Sequence, residues 1–262
     1  MEAGAVFSIK DLKTYFYNHK QGAVIKAVDG VSLDAYAGKI TAIVGQSGSG
    51  KSVMALSVFN LVDEPGRIEA GEILVNGRDV IKLSKRKQRH VYGKEIAMIF
   101  QDPSSALNPV VKVKKQLLEA IRIHEKTSRP DALGRCEQAL LKVGLTNTGR
   151  ILESYPFELS GGMCQRVMIA MALLTNPSVL IADEPTTALD LTIQAEILDE
   201  LLKLKEQGMA IILITHDLSV VAQTADYVYV MSQGRIVESG EVCGIFEHPR
   251  HEYTKGLLEA IL

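Results

Sequence analysis

Apolar and polar positions change their period along this chain. Over the N-terminal part, short apolar or alternating runs predict strands at Ala5 to Ile9, Ala23 to Val28, Val31 to Tyr36, Lys39 to Val44, Glu72 to Val75 and Glu95 to Phe100. One clear helix, Gly50 to Asn60, interrupts them. In the middle, Val113 to Ile123 and Asp131 to Val143 carry apolar residues at helical spacing, with Cys136, Leu140 and Val143 on one face. Beyond Pro177 the order becomes strand (Val179 to Ala182), helix (Leu191 to Glu206, with Ile193, Ile197, Leu201 and Leu204 inward), strand (Met209 to Thr215) and helix. Together with the next strand, Tyr227 to Met231, this βαβαβ order predicts a parallel sheet. A strand from Arg235 to Ser239 and a short helix from Glu252 to Ile261 close the chain. The fold class expected is α/β.

The strand Lys39 to Val44 runs directly into Gly45-Gln46-Ser47-Gly48-Ser49-Gly50-Lys51-Ser52, a complete phosphate-binding loop. Its three glycines let the backbone curl with N–H groups turned inward around a polyphosphate. The helix that follows presents its positive dipole end to the same anion. Lys51 is placed to reach the β and γ phosphates and Ser52 to ligate magnesium, so a nucleotide with Mg2+ is the expected ligand.

Composition narrows this picture. The 262 residues suffice for a substantial core, and 29 basic against 31 acidic residues give no global field for nucleic acid or anionic lipid. The basic stretch Lys82 to Arg89 reads more readily as a solvated face than as a phosphate-binding patch, and no function is assigned to it. No apolar run approaches a membrane span, and Met1-Glu2-Ala3-Gly4 lacks the features of a signal peptide, so a cytosolic location is expected. Cys136, Cys164 and Cys243 are far apart and odd in number, which fits reduced packing residues better than disulfides or a zinc cage. His248 and His251, without a carboxylate or Cys pair at ligand spacing, read as surface-loop residues.

Val179-Leu180-Ile181-Ala182-Asp183-Glu184 is the next station: a buried strand whose end would deliver Asp183 to the magnesium shell. Glu184, one residue on, can accept a proton from an attacking water. Alone, the pair would be an ordinary helix-start charge; downstream of a phosphate loop the catalytic reading prevails.

Leu159-Ser160-Gly161-Gly162-Met163-Cys164-Gln165-Arg166 then resembles the LSGGQ signature of the ATP-binding cassette family, with Met163 where many members carry glutamine. The remaining family elements follow in order: Gln101 in Ile99-Phe100-Gln101-Asp102-Pro103, Asp190 in Thr187-Ala188-Leu189-Asp190, and His216 in Ile214-Thr215-His216-Asp217. The resemblance implies a P-loop NTPase core with an antiparallel N-terminal β-subdomain and a helical insert, all within one nucleotide-binding domain over 1–262. Core and β-subdomain would take about 1–102 and 162–262, and the helical subdomain about 103–161.

It also implies that Ser160, Gly161 and Gly162 grip the γ phosphate of ATP on a facing subunit, and that Asp190 bridges to that subunit. Gln101 would contact magnesium or the lytic water, and His216 would hydrogen-bond the γ phosphate. A further implication is an aromatic stacked on adenine; among Tyr15, Phe16 and Tyr17, spacing from Leu12 selects Phe16, although strand packing explains the three equally well.

Within the family, Tyr155 to Met163, Ala182 to Asp190 and His248-Pro249-Arg250-His251 resemble the dipeptide, oligopeptide and nickel importer ATPases over nearly the whole chain. Peptide-type members commonly continue into a cysteine-containing extension that residues to Leu262 do not include, which turns the expectation toward a nickel or metal-chelate importer or a shorter peptide importer. The implied partners are integral membrane permease subunits, a second ATPase as homodimer or heterodimer, and an extracytoplasmic binding protein, with the chain at the cytoplasmic face of the membrane. Three rivals are weaker. A non-transport cassette would carry paired cassettes or coiled-coil arms, an inactive clamp would lose Glu184 or His216, and a P-loop kinase leaves the signature without a purpose.

Overall fold

The computed structural model describes residues 4–18, 23–186 and 191–260. An antiparallel sheet comes first, built from β1 (Phe7–Asn18), β2 (Ala23–Ala35), β4 (Gly66–Val75) and β5 (Arg78–Asp79) in the order β2-β1-β4-β5. Between its strands the chain enters a second sheet through β3 (Ile40–Val44), followed by α1 (Lys51–Val58). That sheet is completed by β6 (Ile96–Ile99), β7 (Val179–Asp183), β8 (Ala210–Thr215), β9 (Tyr227–Ser232) and β10 (Arg235–Glu241) in the order β10-β9-β3-β8-β7-β6. Its pairings are parallel from β9 through β6, and only the edge strand β10 runs antiparallel. The parallel sheet expected from the βαβαβ pattern is therefore present, with β3 inserted between β8 and β9.

β1 and β2 are longer than the runs read from the sequence. Ala23 to Val28 and Val31 to Tyr36 are the two halves of β2, and the run that stops at Ile9 continues to Asn18. Both misreadings have one cause: the β1–β2 register shifts between Ile9 and Leu12, where Asp11 takes a positive φ of 45°, and again between Leu12 and Lys13, opposite Asp29 and Gly30. A bulge flips the inside–outside alternation, so a pattern of period two breaks although the strand does not.

The helical part contains α3 (Pro103–Ala106), α4 (Val113–Arg122), α5 (Arg129–Lys142), α6 (Thr148–Glu153), a single 3-10 turn at Pro156–Glu158 and α7 (Gly161–Leu173). One apolar cluster fixes it to the sheet: Leu117, Ile121, Cys136 and Leu140 pack with Val167, Ile169, Leu180, Ile211 and Leu213. On the other sheet face, Ile43, Ile181, Ile212 and Ile214 join Met54 and Val58 of α1 and Phe7, Leu12, Val28 and Val31 of the antiparallel sheet. β7 and β8 are buried at every position, which is why they read as continuous apolar runs.

The remaining helices are α2 (Lys85–Val91), α8 (Leu191–Glu206), α9 (Leu218–Thr224), α10 (Val242–Glu247) and α11 (Glu252–Glu259). The basic stretch forms α2, with Lys85, Arg86, Lys87 and Arg89 exposed. Tyr253, Leu257 and Leu258 of α11 pack on a third cluster formed by Ala42, Val44, Val221, Val228 and Val230. Cys136 and Cys164 are buried as expected, whereas Cys243 is exposed on α10 and is no packing residue. Among the described residues no helix is long and apolar enough to cross a membrane.

Candidate nucleotide site

β3 ends in the phosphate loop at the C-terminal edge of the parallel sheet, where ligands of such folds gather. Gly50, the residue before α1, has φ +105°, and a Cβ there would lie 2.1 Å from the Ala27 carbonyl oxygen. Gly234, in the β9–β10 turn, is held the same way: its Cβ would lie 3.0 Å from that oxygen and 2.7 Å from the carbonyl of Lys26. Glycine is thus required by conformation and by close approach at both positions.

Lys51 folds back into the loop. Its Nζ donates to the carbonyls of Gly45 (2.7 Å) and Gln46 (3.0 Å) and lies 3.4 Å from Ser49 Oγ. The side chain is buried, and desolvation pushes its pKa down, with Glu184 and Asp183 opposing the shift by their negative charge. Gln46, Ser47 and Gly48 are exposed, as is Ser52 at the start of α1.

Asp183 ends β7 and is 4 % exposed. Burial raises its pKa, and a hydrogen bond from Ser52 works against that rise. Its Oδ1 is buried without a hydrogen-bond partner. A buried carboxylate oxygen left unpaired beside a serine hydroxyl and a phosphate loop is the donor set a hard divalent cation takes. The residues present therefore fit magnesium.

Glu184 follows in a left-handed conformation, φ 47°, with its N–H donated to the Ile214 carbonyl at 2.8 Å. This turn swings its carboxylate out of the strand. Oε2 accepts from Gln101 Nε2 at 2.9 Å, and Oε1 lies 3.0 Å from His216 Nδ1. Gln101 follows β6 and His216 follows β8, so adjacent strand ends deliver all three side chains. With Gly45, Gln46 and Ser47 they line a cleft of about 550 Å³, walled also by Leu257 and Ala260 from the C-terminal end. A carboxylate between an amide and an imidazole at the mouth of a phosphate loop is equipped to orient and deprotonate a water.

Phe16, Ser160, Gly161 and Gly162 are not among the residues lining that cleft. Phe16 lies in β1, its ring covering Gly66, where a Cβ would approach Cε1 to 2.5 Å. Its neighbour Tyr15 is committed elsewhere, donating to Asp29 at 2.6 Å. Ser160 caps α7, its hydroxyl accepting from Met163 N at 3.3 Å, with Ser160 and Gly161 exposed. Behind the cap, Gln165 Nε2 donates to the Pro185 carbonyl at 2.8 Å, and Arg166 holds the Val143 carbonyl and Glu196. Asp190 lies outside the described residues. The sequence reading missed Leu257 and Tyr253; the latter's hydroxyl accepts the Gln46 N–H at 2.9 Å. No local motif marks either residue.

The chain matches the family model described as ABC transporter over residues 28–187. It is 45% identical over 258 residues to the dipeptide transport ATP-binding protein DppD of Escherichia coli K12, spanning 98% of this chain and 78% of that one. The oligopeptide transport ATP-binding protein OppD of Bacillus subtilis is 48% identical over 258 residues, covering 98% and 72%. The glutathione import ATP-binding protein GsiA of Shigella dysenteriae is 48% identical over 269 residues, 100% of this chain and 43% of that protein. Among solved structures, the dimeric bacterial ABC transporter cassette MJ0796 superposes with TM-score 0.80 at 26% identity, covering 90% of this chain and 98% of it. Its post-hydrolysis dimer bound to ADP and Pi gives TM-score 0.79 at 26% identity, with the same coverage. The chain belongs to the ABC transporter family as one of its ATP-binding, ATP-hydrolysing cassettes.

Proposed function

We propose that this chain is the ATPase subunit of an importer for peptides, working at the cytoplasmic face of the membrane with separate permease subunits and a second cassette. The observation that supports this best is similarity over 98–100% of this chain to dipeptide, oligopeptide and glutathione transport proteins at 45–48% identity. Those names favour peptides over the nickel or metal-chelate cargo that the sequence left open.

In this reading Lys51 turns from the Gly45 and Gln46 carbonyls to the phosphates, and the loop amides beyond Gln46, up to Ser52, hold the anion. Ser52, Asp183 and Gln101 would hold magnesium, which when bound offsets charge on the phosphates. Glu184 takes the proton of the attacking water, and His216 steadies the carboxylate and the γ phosphate. Phe16 would flank adenine, and Ser160, Gly161, Gly162 and Asp190 would act across a head-to-tail dimer. The helical subdomain, about 103–161, would carry closure to the permease through Gln101. Because Gln101 Nε2 donates to Glu184 Oε2, its departure removes one hydrogen bond from the carboxylate while His216 stays beside Oε1.

ATPase rate per subunit against protein concentration, with Glu184→Gln as control, tests this. A rate that rises steeply with concentration and vanishes in the control is expected if the chain completes its own paired sites. A concentration-independent turnover would remove the shared-site mechanism. Stimulation of ATP turnover by peptide, but not by nickel, in vesicles carrying the whole transporter tests the cargo.

A further inference from the structure

The peptide unit joining Gly45 to Gln46 is held at both ends. Its carbonyl accepts from Lys51 Nζ at 2.7 Å, and its N–H donates to the hydroxyl of Tyr253 at 2.9 Å. Ala27 of β2, Met231 of β9, Gly234 of the β9–β10 turn and Asp183 of β7 also meet the loop; this contact comes from α11. The helix is firmly placed: Glu238 accepts the N–H groups of Arg250 (2.7 Å) and His251 (3.1 Å), His251 Nδ1 caps the Tyr253 N–H at 3.1 Å, and Leu257 and Leu258 sit on the third apolar cluster. The same helix and the residue after it bring Leu257 and Ala260 into the cleft opposite Glu184 and His216.

Gln46 is exposed, so without Tyr253 its N–H would face water and the peptide plane would be free to turn. When Lys51 leaves the Gly45 carbonyl for a phosphate, one of the two restraints on that plane is lost. The other remains only if Tyr253 supplies it. A loop that binds anions through its backbone needs its peptide planes already aimed before the ligand arrives, since aiming them afterwards costs binding energy. We infer that Tyr253 is a positioning residue of the nucleotide site: its hydroxyl fixes the first peptide plane of the phosphate loop, making α11 a working wall of that site. The inference rests on the reading of Gly45 to Ser52 as the nucleotide-binding loop.

Tyr253→Phe removes the hydroxyl and keeps the ring. In the full chain, ATP Kd by calorimetry and KM for ATP should rise about fivefold, the worth of one neutral hydrogen bond, with kcat within twofold of the parent. The nucleotide-free melting temperature should fall by no more than a few degrees, the loss of one exposed hydrogen bond, while the rise induced by ATP shrinks. Leu258→Ala serves as the comparison, because it loosens the packing of α11 and keeps the hydroxyl; it should lower the nucleotide-free melting temperature and leave KM alone. A Tyr253→Phe chain that binds ATP as the parent does overturns the role of Tyr253, and so does a Leu258→Ala chain with the same rise in KM, which would assign the effect to helix docking. A parent chain that binds no ATP would overturn the nucleotide reading itself, a distinct result.

Discussion

The imidazole Nδ1 of His216 lies 3.0 Å from Oε1 of Glu184, although the two residues come from separate strand ends. The carboxylate is largely enclosed while the imidazole is largely open, so the pair projects from the protein toward the cleft. Replacing Glu184 by Gln keeps the shape and removes the proton acceptor. Hydrolysis should fall by about 10²–10⁴ with ATP binding retained, measured as phosphate release beside a binding isotherm. Undiminished turnover would take Glu184 out of the reaction.

Lys51 makes all its described hydrogen bonds within its own loop, two of them to carbonyls that gain nothing from a phosphate. Lys51→Ala should lower ATP affinity about a hundredfold, the loss of charge-assisted bonds in a desolvated setting. Equilibrium binding of a labelled ATP analogue reads this directly.

Asp183 places function and stability in opposition. A carboxylate whose folded pKa is raised favours the folded state below the unfolded value near 3.9 and loses that contribution as pH rises through the folded value, so at neutral pH it is a liability. Asp183→Asn should therefore raise the nucleotide-free melting temperature at pH 7, by about 2–4 °C for each kcal/mol recovered, and abolish magnesium-dependent turnover. A melting temperature that falls instead would show that the carboxylate is already satisfied.

Tyr15, Asp29 and Arg235 form a hydrogen-bonded trio linking the antiparallel sheet to β10, with Asp29 accepting from Tyr15 at 2.6 Å and from Arg235 Nη2 at 2.5 Å. The bond from Tyr15, then that from Arg235, hold the Asp29 carboxyl down at about 2, while the Asp29 bond pushes the Tyr15 phenol up to about 12. With the folded value below the unfolded one, the stabilisation is present above about pH 4 and is lost as pH falls toward 2. The gap in urea midpoint between the parent and Asp29→Asn should be full at pH 6 and close over that window. A gap independent of pH would assign the effect to shape.

The phosphate loop and the Asp183-Glu184 strand were legible because each depends on residues adjacent in sequence: glycines for curled backbone, an apolar run for a buried strand, a carboxylate pair where that strand ends; His216 drew notice only through the family resemblance, since a lone histidine at a strand end is more often structural. The fold class was legible from the same runs. Strand lengths were not, since bulges at Asp11 and at Asp29–Gly30 hide continuity from any alternating pattern. Cys243 was misjudged because burial is a property of the whole surface and not of spacing. Tyr253 was out of reach for a similar reason: it meets Gln46 across 207 residues, and one hydroxyl leaves no periodic trace.

The Ala27 carbonyl, wedged between Gly50 and Gly234, means that the loop's curvature is templated by a strand from a different sheet. Transplanting Gly45 to Ser52 into another host would carry the letters without the mould. Recombination breakpoints in this chain should accordingly be tolerated in the helical segment, whose exchange leaves β2, the loop and the β9–β10 turn together, and should fail wherever they part those three.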